Sequence, residues 1–422
     1  MRLEVFLSRR LSLRNNSGDK LSKATSPGVK IAVTGIALSF IIMLFSIAVV
    51  RGFKDEIRKK VTGFEQQITL METKDYGDHS QNEGIKLDDN LKMAIKEIAP
   101  EGNPVLTFYQ PAMLKTDDNF EGILIKGLSS DNDDINFIGE NIVSGKMPHF
   151  GDSTDINPLV ISQRIANSLN LTVGDDVMAH FFAGDNLLSR KMKIEGIYDT
   201  HFGDYDKMYC FSSIEMLQRL NRTDSLTGTA ININGLNPEE IDDITDALRR
   251  RLFVYSTEKA DGSFFSIQNV NMAGAVYFNW LSLLDTNVVV ILILMGCVSG
   301  FTLISSLFII VLQRVSTIGL LKALGATNIQ IRKIFILMAA KVLGIGLIVG
   351  NIIGLGIIWL QASEKIIPLD ADAYYLNYVP VAVDTETVLI LNGAIILISF
   401  ILLIIPSLIV SHLSPAETMR YE

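Results

Sequence analysis

The sequence predicts a polytopic α-helical membrane protein with four transmembrane helices in a 1+3 arrangement and a large α+β extracytoplasmic domain between the first and second. Three observations carry this. Four apolar runs, Ile31–Val50, Val288–Leu312, Ile334–Leu360 and Thr387–Val410, each reach the roughly 20 residues a helix needs to cross a bilayer. The long stretch 51–287 between the first two runs has the mixed polarity of a soluble fold. Lys and Arg are crowded into alternate connections, as the positive-inside rule requires. A single apolar run is explained as readily by a buried core helix, but four such runs in a chain that is 48% apolar are not.

Residues 1–30 come first. Leu3, Phe6, Leu7 and Leu11 alternate with Arg2, Arg9, Arg10 and Arg14, the spacing of an amphipathic helix lying in the headgroup layer. Asn15–Gly28, rich in Ser, Gly and Lys, reads as a linker. The run 31–50 reads as a retained anchor: its apolar core is too long for a signal peptide and no small-residue cleavage site follows. Residues 1–30 hold seven Lys and Arg, the connection 313–333 holds four, and 361–386 holds Lys365 against five acids. Both termini and 313–333 are therefore expected on the cytoplasmic side of the membrane, with 51–287 as a large extracytoplasmic domain and the loop 361–386 on that same outer side. Arg51, Lys54, Arg58, Lys59 and Lys60 lie on the wrong side for this rule, but large domains are translocated largely regardless of charge.

The domain 51–287 holds 23 Lys and Arg against 37 Asp and Glu, a net charge of −14, while the rest of the chain is +5. An acidic domain of this kind excludes nucleic acid as a partner. Cys210 lies in the domain and Cys297 in a span, so they do not pair. Phe53, Ile57, Val61 and Phe64 continue the first helix as an apolar stripe, and Tyr277, Trp280, Leu281 and Leu284 do the same ahead of the second span. Two stalks are thus expected. Strands are expected at 66–72, 105–115, 122–128, 229–234 and 264–268. Helices are expected at 88–99 and, capped by Asn237 with Glu240 three residues on, at 238–252. This pattern suggests a split α+β subdomain interrupted by an insert over about 130–226, with strands at 176–182, 191–198 and 207–211. Residues 131–155 read as loop.

The segment Gln313–Lys333 is basic, contains no acid and is pinned between two apolar spans, which suits an amphipathic helix that takes a push from a soluble partner. Its Ile318-Gly319-Leu320-Leu321-Lys322-Ala323-Leu324-Gly325-Ala326, followed by Ile331 and Phe335, resembles the coupling segment of FtsX/MacB-type ABC permeases. The ending Ser414–Glu422 is similar to that family's usual ending. Gly145–Pro148, Leu159–Ser162, Ile165-Ala166 and Leu169–Asp175 match its core domain in order. Arg51-Gly52-Phe53 with Gly63 and Ile68, together with Tyr374–Val381, resembles the lipoprotein-releasing (Lol) branch.

The resemblance implies a MacB-like periplasmic core domain and a permease pair, two copies or two related chains, bound to a dimer of cytosolic ATPases. Such a complex extracts lipoproteins from the inner membrane and passes them to a periplasmic carrier. No Gly-x-x-x-x-Gly-Lys-Ser/Thr loop occurs, so ATP and Mg are expected on the partner and no cofactor on this chain. The connection Ala183–Arg190 is shorter than the protruding loop of Lol permeases that recruit the carrier, which puts direct recruitment by this subunit in question. The alternatives are an FtsX-like signalling protein that controls a periplasmic cell-wall hydrolase, and a MacB-like efflux component.

In the coupling segment, Ile318, Leu321, Leu324 and Ile331 are expected to bury one face in the ATPase. Gly319, Ala323, Gly325 and Ala326 permit close approach and a helix end, and Arg314 and Lys322 meet acids or lipid phosphates. Gly346, Gly350 and Gly354 form a small-residue face suited to helix packing. Lys341, in the same span, is expected to snorkel or to meet a phosphate. Lipoprotein and lipid chains are expected on Phe40, Met43, Phe53, Ile57, Trp280 and Leu284, residues that would otherwise serve permanent packing. His79, His149, His180, His201 and His412 are scattered without metal-ligand spacing. No nucleophile motif occurs, so the chain is expected to be a non-catalytic subunit without a metal site.

Overall fold

The computed structural model describes residues 22–74, 84–130, 132, 134–150, 157–183, 186–259, 263–313 and 315–411. Two compact units emerge: a helical unit of Met1–Asp55, Leu281–Pro368 and Tyr378–Glu422, and an α/β unit of Glu56–Trp280 and Leu369–Asn377. The expected helix over 1–14, Arg314 and the ending 414–422 lie outside the described residues.

The chain opens with the long helix α1 (Ser22–Phe64), followed by β1 (Ile68–Lys74), β2 (Ile85–Lys86), α2 (Asp89–Ile98), β3 (Asn103–Lys115) and β4 (Phe120–Leu128). Next come α3 (Asp134–Glu140), β5 (Ile142–Gly145), β6 (Pro158–Ser162), α4 (Gln163–Leu169), β7 (Asp176–Ala183) and β8 (Asn186–Tyr198). Then follow α5 (Gly203–Asp206), β9 (Tyr209–Ser213), α6 (Ile214–Asn221), β10 (Thr227–Gly228), β11 (Ala230–Asn234), α7 (Ile241–Lys259) and β12 (Ser263–Asn269). The chain ends through α8 (Val270–Ala273), α9 (Ala275–Gln313), α10 (Val315–Ala323), α11 (Asn328–Glu364), α12 (Ala371–Tyr374) and α13 (Thr385–Ser411). Among the described residues four helices, α1, α9, α11 and α13, are long and apolar enough to cross a membrane. In chain order one precedes the strands and three follow. Of the linker expected over Asn15–Gly28, the described part from Ser22 on is already helical, because a helix nucleated by the apolar span propagates at one backbone bond per residue, and residues 15–21 lie outside the described residues.

Within the helical unit α11 is the hub. Val342, Leu343, Leu347 and Ile358 pack with Ile36, Phe40, Met43 and Leu44 of α1, Leu303 of α9 and Leu391 and Ile395 of α13. A second cluster joins Leu307 and Ile310 of α9, Ile318 of α10, Ile331, Phe335 and Met338 of α11, and Leu403 of α13. Asn351 and Asn392 exchange reciprocal amide bonds at 2.9 and 3.1 Å and tie α11 to α13.

Within the α/β unit a sheet in the order β12-β1-β11-β3 is backed by α7, which packs on β12 and on α2. Strand β3 is long enough to serve twice. Asn103–Thr107 pairs with β11, and Phe108–Lys115 pairs with β4. From there β4, β9, β6, β8 and β7 continue until β7 returns to β3, which closes a six-stranded barrel. Its core includes Ile123, Ile125, Leu159, Ile161, Phe181, Met192, Ile194 and Cys210. The expected insert is therefore larger than 130–226, since β4 and half of β3 belong to the barrel. Strand periodicity reports a half-buried face and not the partner strand. The stretch 131–155, expected as loop, supplies α3 and β5. Helix α7 begins three residues after the expected start, because Asn237 and Glu240 bond each other in the preceding turn.

Candidate functional site

The segment expected to couple to an ATPase folds, from Val315 on, as a short helix, a capped turn and the start of a long helix. Gly325, at φ +91°, ends α10: its N–H donates to the carbonyl of Lys322 at 3.0 Å, and that of Ala326 to Leu321 at 2.9 Å. This is the Schellman pattern, in which a left-handed residue satisfies the last carbonyls of a helix. Thr327 then caps α11 reciprocally with Gln330, so both helix ends are closed within three residues. Residues 328–333, expected to belong to one amphipathic segment, are instead the first turns of α11.

The expected docking face divides. Ile318 and Ile331 are buried against α9, α11 and α13 and are not available to a partner, and Leu321 is half-buried. The apolar residues left outward are Leu320, Leu324 and Ile329, exposed at 61, 77 and 65%. Ala323 and Gly325 are exposed, Lys322 and Ala326 half-buried, and Gly319 buried. The spacing alone did not separate these sets, because nearly every position in the segment is apolar or small.

The small-residue face of α11 lies against α1. A Cβ on Gly346 would stand 2.8 Å from Ile36, one on Gly350 3.1 Å from Phe40, and one on Gly354 3.1 Å from Leu44. This close approach buries Phe40 and Met43, at 0 and 2% exposure, inside the helical unit. Phe53 and Ile57 are also buried, and Trp280 and Leu284 are half-buried. The proposed lipid face on Phe40, Met43, Phe53 and Ile57 is thus packed protein. Apolar periodicity marks the inward face of a helix in water, but in a span both faces are apolar and the stripe loses that meaning. Lys341 is half-buried on α11.

An open apolar groove lies elsewhere in the helical unit. A groove of about 390 Å³ between α1 and α9 is lined by Ile31, Ala32, Val298, Phe301, Thr302 and Ser306 among others. Ile31 and Phe301 are exposed, and among the described residues the buried Ser306 hydroxyl has no hydrogen-bond partner.

Two motifs far apart in sequence meet. Gly52 lies so close to the Pro380–Val381 peptide that a Cβ would stand 2.7 Å from its atoms. Arg51 donates to Asp384 at 2.8 Å and to Thr387 at 2.7 Å. A Cβ on Gly63 would stand 2.5 Å from the Phe137 ring.

At the end of α1, Phe64 is ringed by Phe137, Tyr205 and Tyr209 with centroids 5.5, 4.8 and 5.9 Å away. Its carbonyl accepts from the buried Lys126 at 2.9 Å. Lys126 also pairs with Asp134 at 3.0 Å, and Asp134 accepts from Gln66 at 2.8 Å. Burial alone would drive the Lys126 ammonium towards neutrality, but the adjacent carboxylate more than offsets this and holds its pKa above the ordinary lysine value. A cation at a helix C-terminus also complements the helix dipole.

Among the described residues no group of three His, Cys, Asp or Glu is placed to hold a metal ion.

Residues 288–415 match the FtsX-like permease C-terminal family. Over 407 residues the chain is 21% identical to the lipoprotein-releasing system transmembrane protein LolC of Xylella fastidiosa, covering 93% of each chain. It is 22% identical over 431 residues to LolE of Haemophilus influenzae, covering 97% of this chain and 98% of that one. The periplasmic region of MacB from Actinobacillus actinomycetemcomitans aligns with 50% of this chain and 92% of its own, at 12% identity and a TM-score of 0.32. The region of the last three spans thus resembles the FtsX-like permease C-terminal family, in a chain similar along nearly its whole length to LolC and LolE.

Proposed function

We propose that this chain is the permease subunit of an ABC transporter that extracts lipoproteins from the bacterial inner membrane for transfer to a periplasmic carrier. A separate cytosolic ATPase dimer drives it through the turn between α10 and α11, and a second permease, identical or related, completes the pair. The observation that carries this reading is the similarity to LolC over 93% of both chains, which spans the α/β unit as well as the membrane helices. The capped turn supports the motor half: it is stiff, and Leu320, Leu324 and Ile329 give an apolar contact with no acid nearby in sequence. ATP and Mg belong on the partner, and this chain is non-catalytic. Both termini are cytoplasmic and residues 51–287 periplasmic. The groove between α1 and α9 replaces the buried residues as the place for acyl chains. Burying each methylene there contributes about 0.8 kcal/mol.

The test is purification of the complex with its ATPase and identification of the protein bound to it. Triacylated lipoprotein is expected, and it should crosslink to photoreactive residues at Ile31 and Phe301. Leu320→Asp and Leu324→Asp should lower ATP turnover about tenfold, as expected for a desolvated contact worth 1–2 kcal/mol. A cell-wall hydrolase in place of lipoprotein would overturn the reading in favour of signalling. A small exported molecule would overturn it in favour of efflux.

A further inference from the structure

Residues Leu369–Asn377 connect α11 to α13, both helices of the helical unit, yet they cluster with the α/β unit. What holds them is specific. Lys60, near the end of α1, donates to the carbonyls of both Thr200 and Tyr375, the latter at 2.7 Å. Tyr375 has φ +61°, a left-handed conformation that an aromatic side chain rarely adopts. The hydroxyls of Tyr375 and Tyr277 both donate to Asp204 Oδ2, at 3.3 and 3.0 Å. Phe202 sits at the centre, its ring 5.1 Å from Tyr375, 4.8 Å from Tyr277 and 4.9 Å from Tyr205. One barrel corner, residues 199–206, is therefore gripped from α1, from the start of α9 and from the segment 369–377.

Packing alone does not call for this arrangement. An apolar side chain at position 60 would fill space, whereas an ammonium spent on two backbone carbonyls from segments 175 positions apart fixes their register. Burial lowers the Lys60 pKa to about 8, while Asp206, Glu56 and Asp199 oppose that shift and leave the amine largely protonated at neutral pH. A strained backbone residue persists only where its surroundings over-determine it.

We propose that Lys60 is a positioning residue that clasps the strap 369–377 to the barrel corner 199–206, so that displacement of α11 and α13 reaches the α/β unit through the strap as well as through α1 and α9. This rests on the proposed transport function. It adds a third path to the two stalks and assigns it to side chains that neither the coupling turn nor the groove involves.

The experiment uses the full complex with its ATPase in proteoliposomes loaded with a triacylated lipoprotein, comparing Lys60→Met, Asp204→Ala and Lys60→Arg with the unaltered chain. In the first two, ATP turnover should stay near the unaltered level while lipoprotein transfer falls about tenfold, the scale of a coupling change of 1–2 kcal/mol. Lys60→Arg, which keeps the donors, should retain transfer. Amide exchange on the same proteins gives a second reading: 369–377 should exchange about tenfold faster in Lys60→Met while β8 is unchanged, as for local opening of one segment. Equal loss of turnover and transfer, full transfer, or unchanged exchange in the strap overturns the clasp. If β8 also exchanges faster, Tyr375→Phe decides, since it removes one hydroxyl bond and leaves the rings; unaltered transfer and exchange there count against the proposal. Absence of lipoprotein transfer by the unaltered complex defeats the transport reading instead, and the exchange result alone then decides the clasp.

Discussion

Gly52→Ala tests a close backbone crossing in the helical unit. The new Cβ would stand 2.7 Å from Pro380 C and Val381 N and 2.8 Å from Pro380 O. These are main-chain atoms, so no rotamer change relieves the contact, and the segment after Asn377 must move away from α1. One turn earlier Ala382 N–H donates to the Ala48 carbonyl at 2.9 Å, and that bond lies in the path of the movement. Overpacking costs about 1–3 kcal/mol, and a stretched hydrogen bond adds about 1 kcal/mol. Alanine in place of glycine within a helix returns at most about 1 kcal/mol. The exposed pair Arg51–Asp384 is too weak to hold the crossing against this, since such pairs contribute about 0–1 kcal/mol. The net expectation is a loss of about 1–3 kcal/mol, read as a lowered unfolding midpoint of the full chain in detergent. Gly344→Ala and Gly356→Ala are the controls, because a Cβ at either position meets nothing within 4 Å. Their midpoints should hold or rise. A Gly52→Ala midpoint equal to theirs would refute the claim that the two motifs are held in contact.

Two further outcomes follow from the α/β unit. Lys126→Met should destabilise the full chain by about 3–5 kcal/mol, because it strands Asp134 in a buried site, whereas Lys126→Met with Asp134→Leu should recover most of the loss. Denaturant unfolding checks this, and a double variant no better than the single one would show that the pair is worth more than its desolvation. Burial pushes the Asp206 carboxyl up to about 6, with bonds from Thr200 and Phe202 opposing the shift. A folded value above the unfolded one, about 3.9, means the contribution is fully present below pH 4 and is lost as pH rises through 6. Asp206→Asn should remove that limb and raise stability at pH 7 by an amount on the order of 2 kcal/mol. Midpoints measured at pH 4.5 and 7 check it, and an unchanged pH dependence would rule Asp206 out.

The stalks were legible because Phe53, Ile57, Val61 and Phe64 follow helical spacing across a stretch that is otherwise charged, and all four are buried. The same arithmetic failed inside the membrane helices. Phe40 and Met43 lie on a face no more apolar than its opposite, so nothing local distinguished protein from lipid. Strand β4 shows a second limit. Alternation from Ile123 and Ile125 would turn Lys126 to solvent, yet its side chain is buried, because the end of α1 covers that face. A lysine within Gly122–Leu128, otherwise apolar from Ile123 to Ile125, was the available signal, but its meaning depended on a partner at position 134 and a carbonyl at 64. Motifs fared better than periodicity for the same reason. Gly52 and Tyr374–Val381 were recognisable as patterns, and only the fold shows that the glycine is there because the other motif leaves no room for a side chain.

Under the proposed transport function, the uneven cover of the spans bears on where the lipid would enter. In its most apolar stretch α9 has 17% of its residues buried within the chain, against 39% for α1 and for α11. In water such a flank would demand a partner, but in hydrocarbon it costs nothing to leave bare, since lipid tails are as apolar as leucine. Helices held together by close packing, as α11 and α1 are through Gly346, Gly350 and Gly354, resist separation because every contact must be broken at once. Against those three glycines of α11, the groove side has one such approach, Gly35 of α1 at 2.9 Å from Thr302 by its would-be Cβ, so in the proposed transport cycle a displacement delivered through the α10–α11 turn is expected to open the α1–α9 side before the α1–α11 side. The groove is therefore an exposed apolar surface and, of the two sides, the one expected to be cheaper to widen. A crosslink between Gly350 and Ala37 should leave lipoprotein transfer intact, whereas one between Ala32 and Thr302 should abolish it. Equal tolerance of both crosslinks would show that the substrate does not pass between α1 and α9.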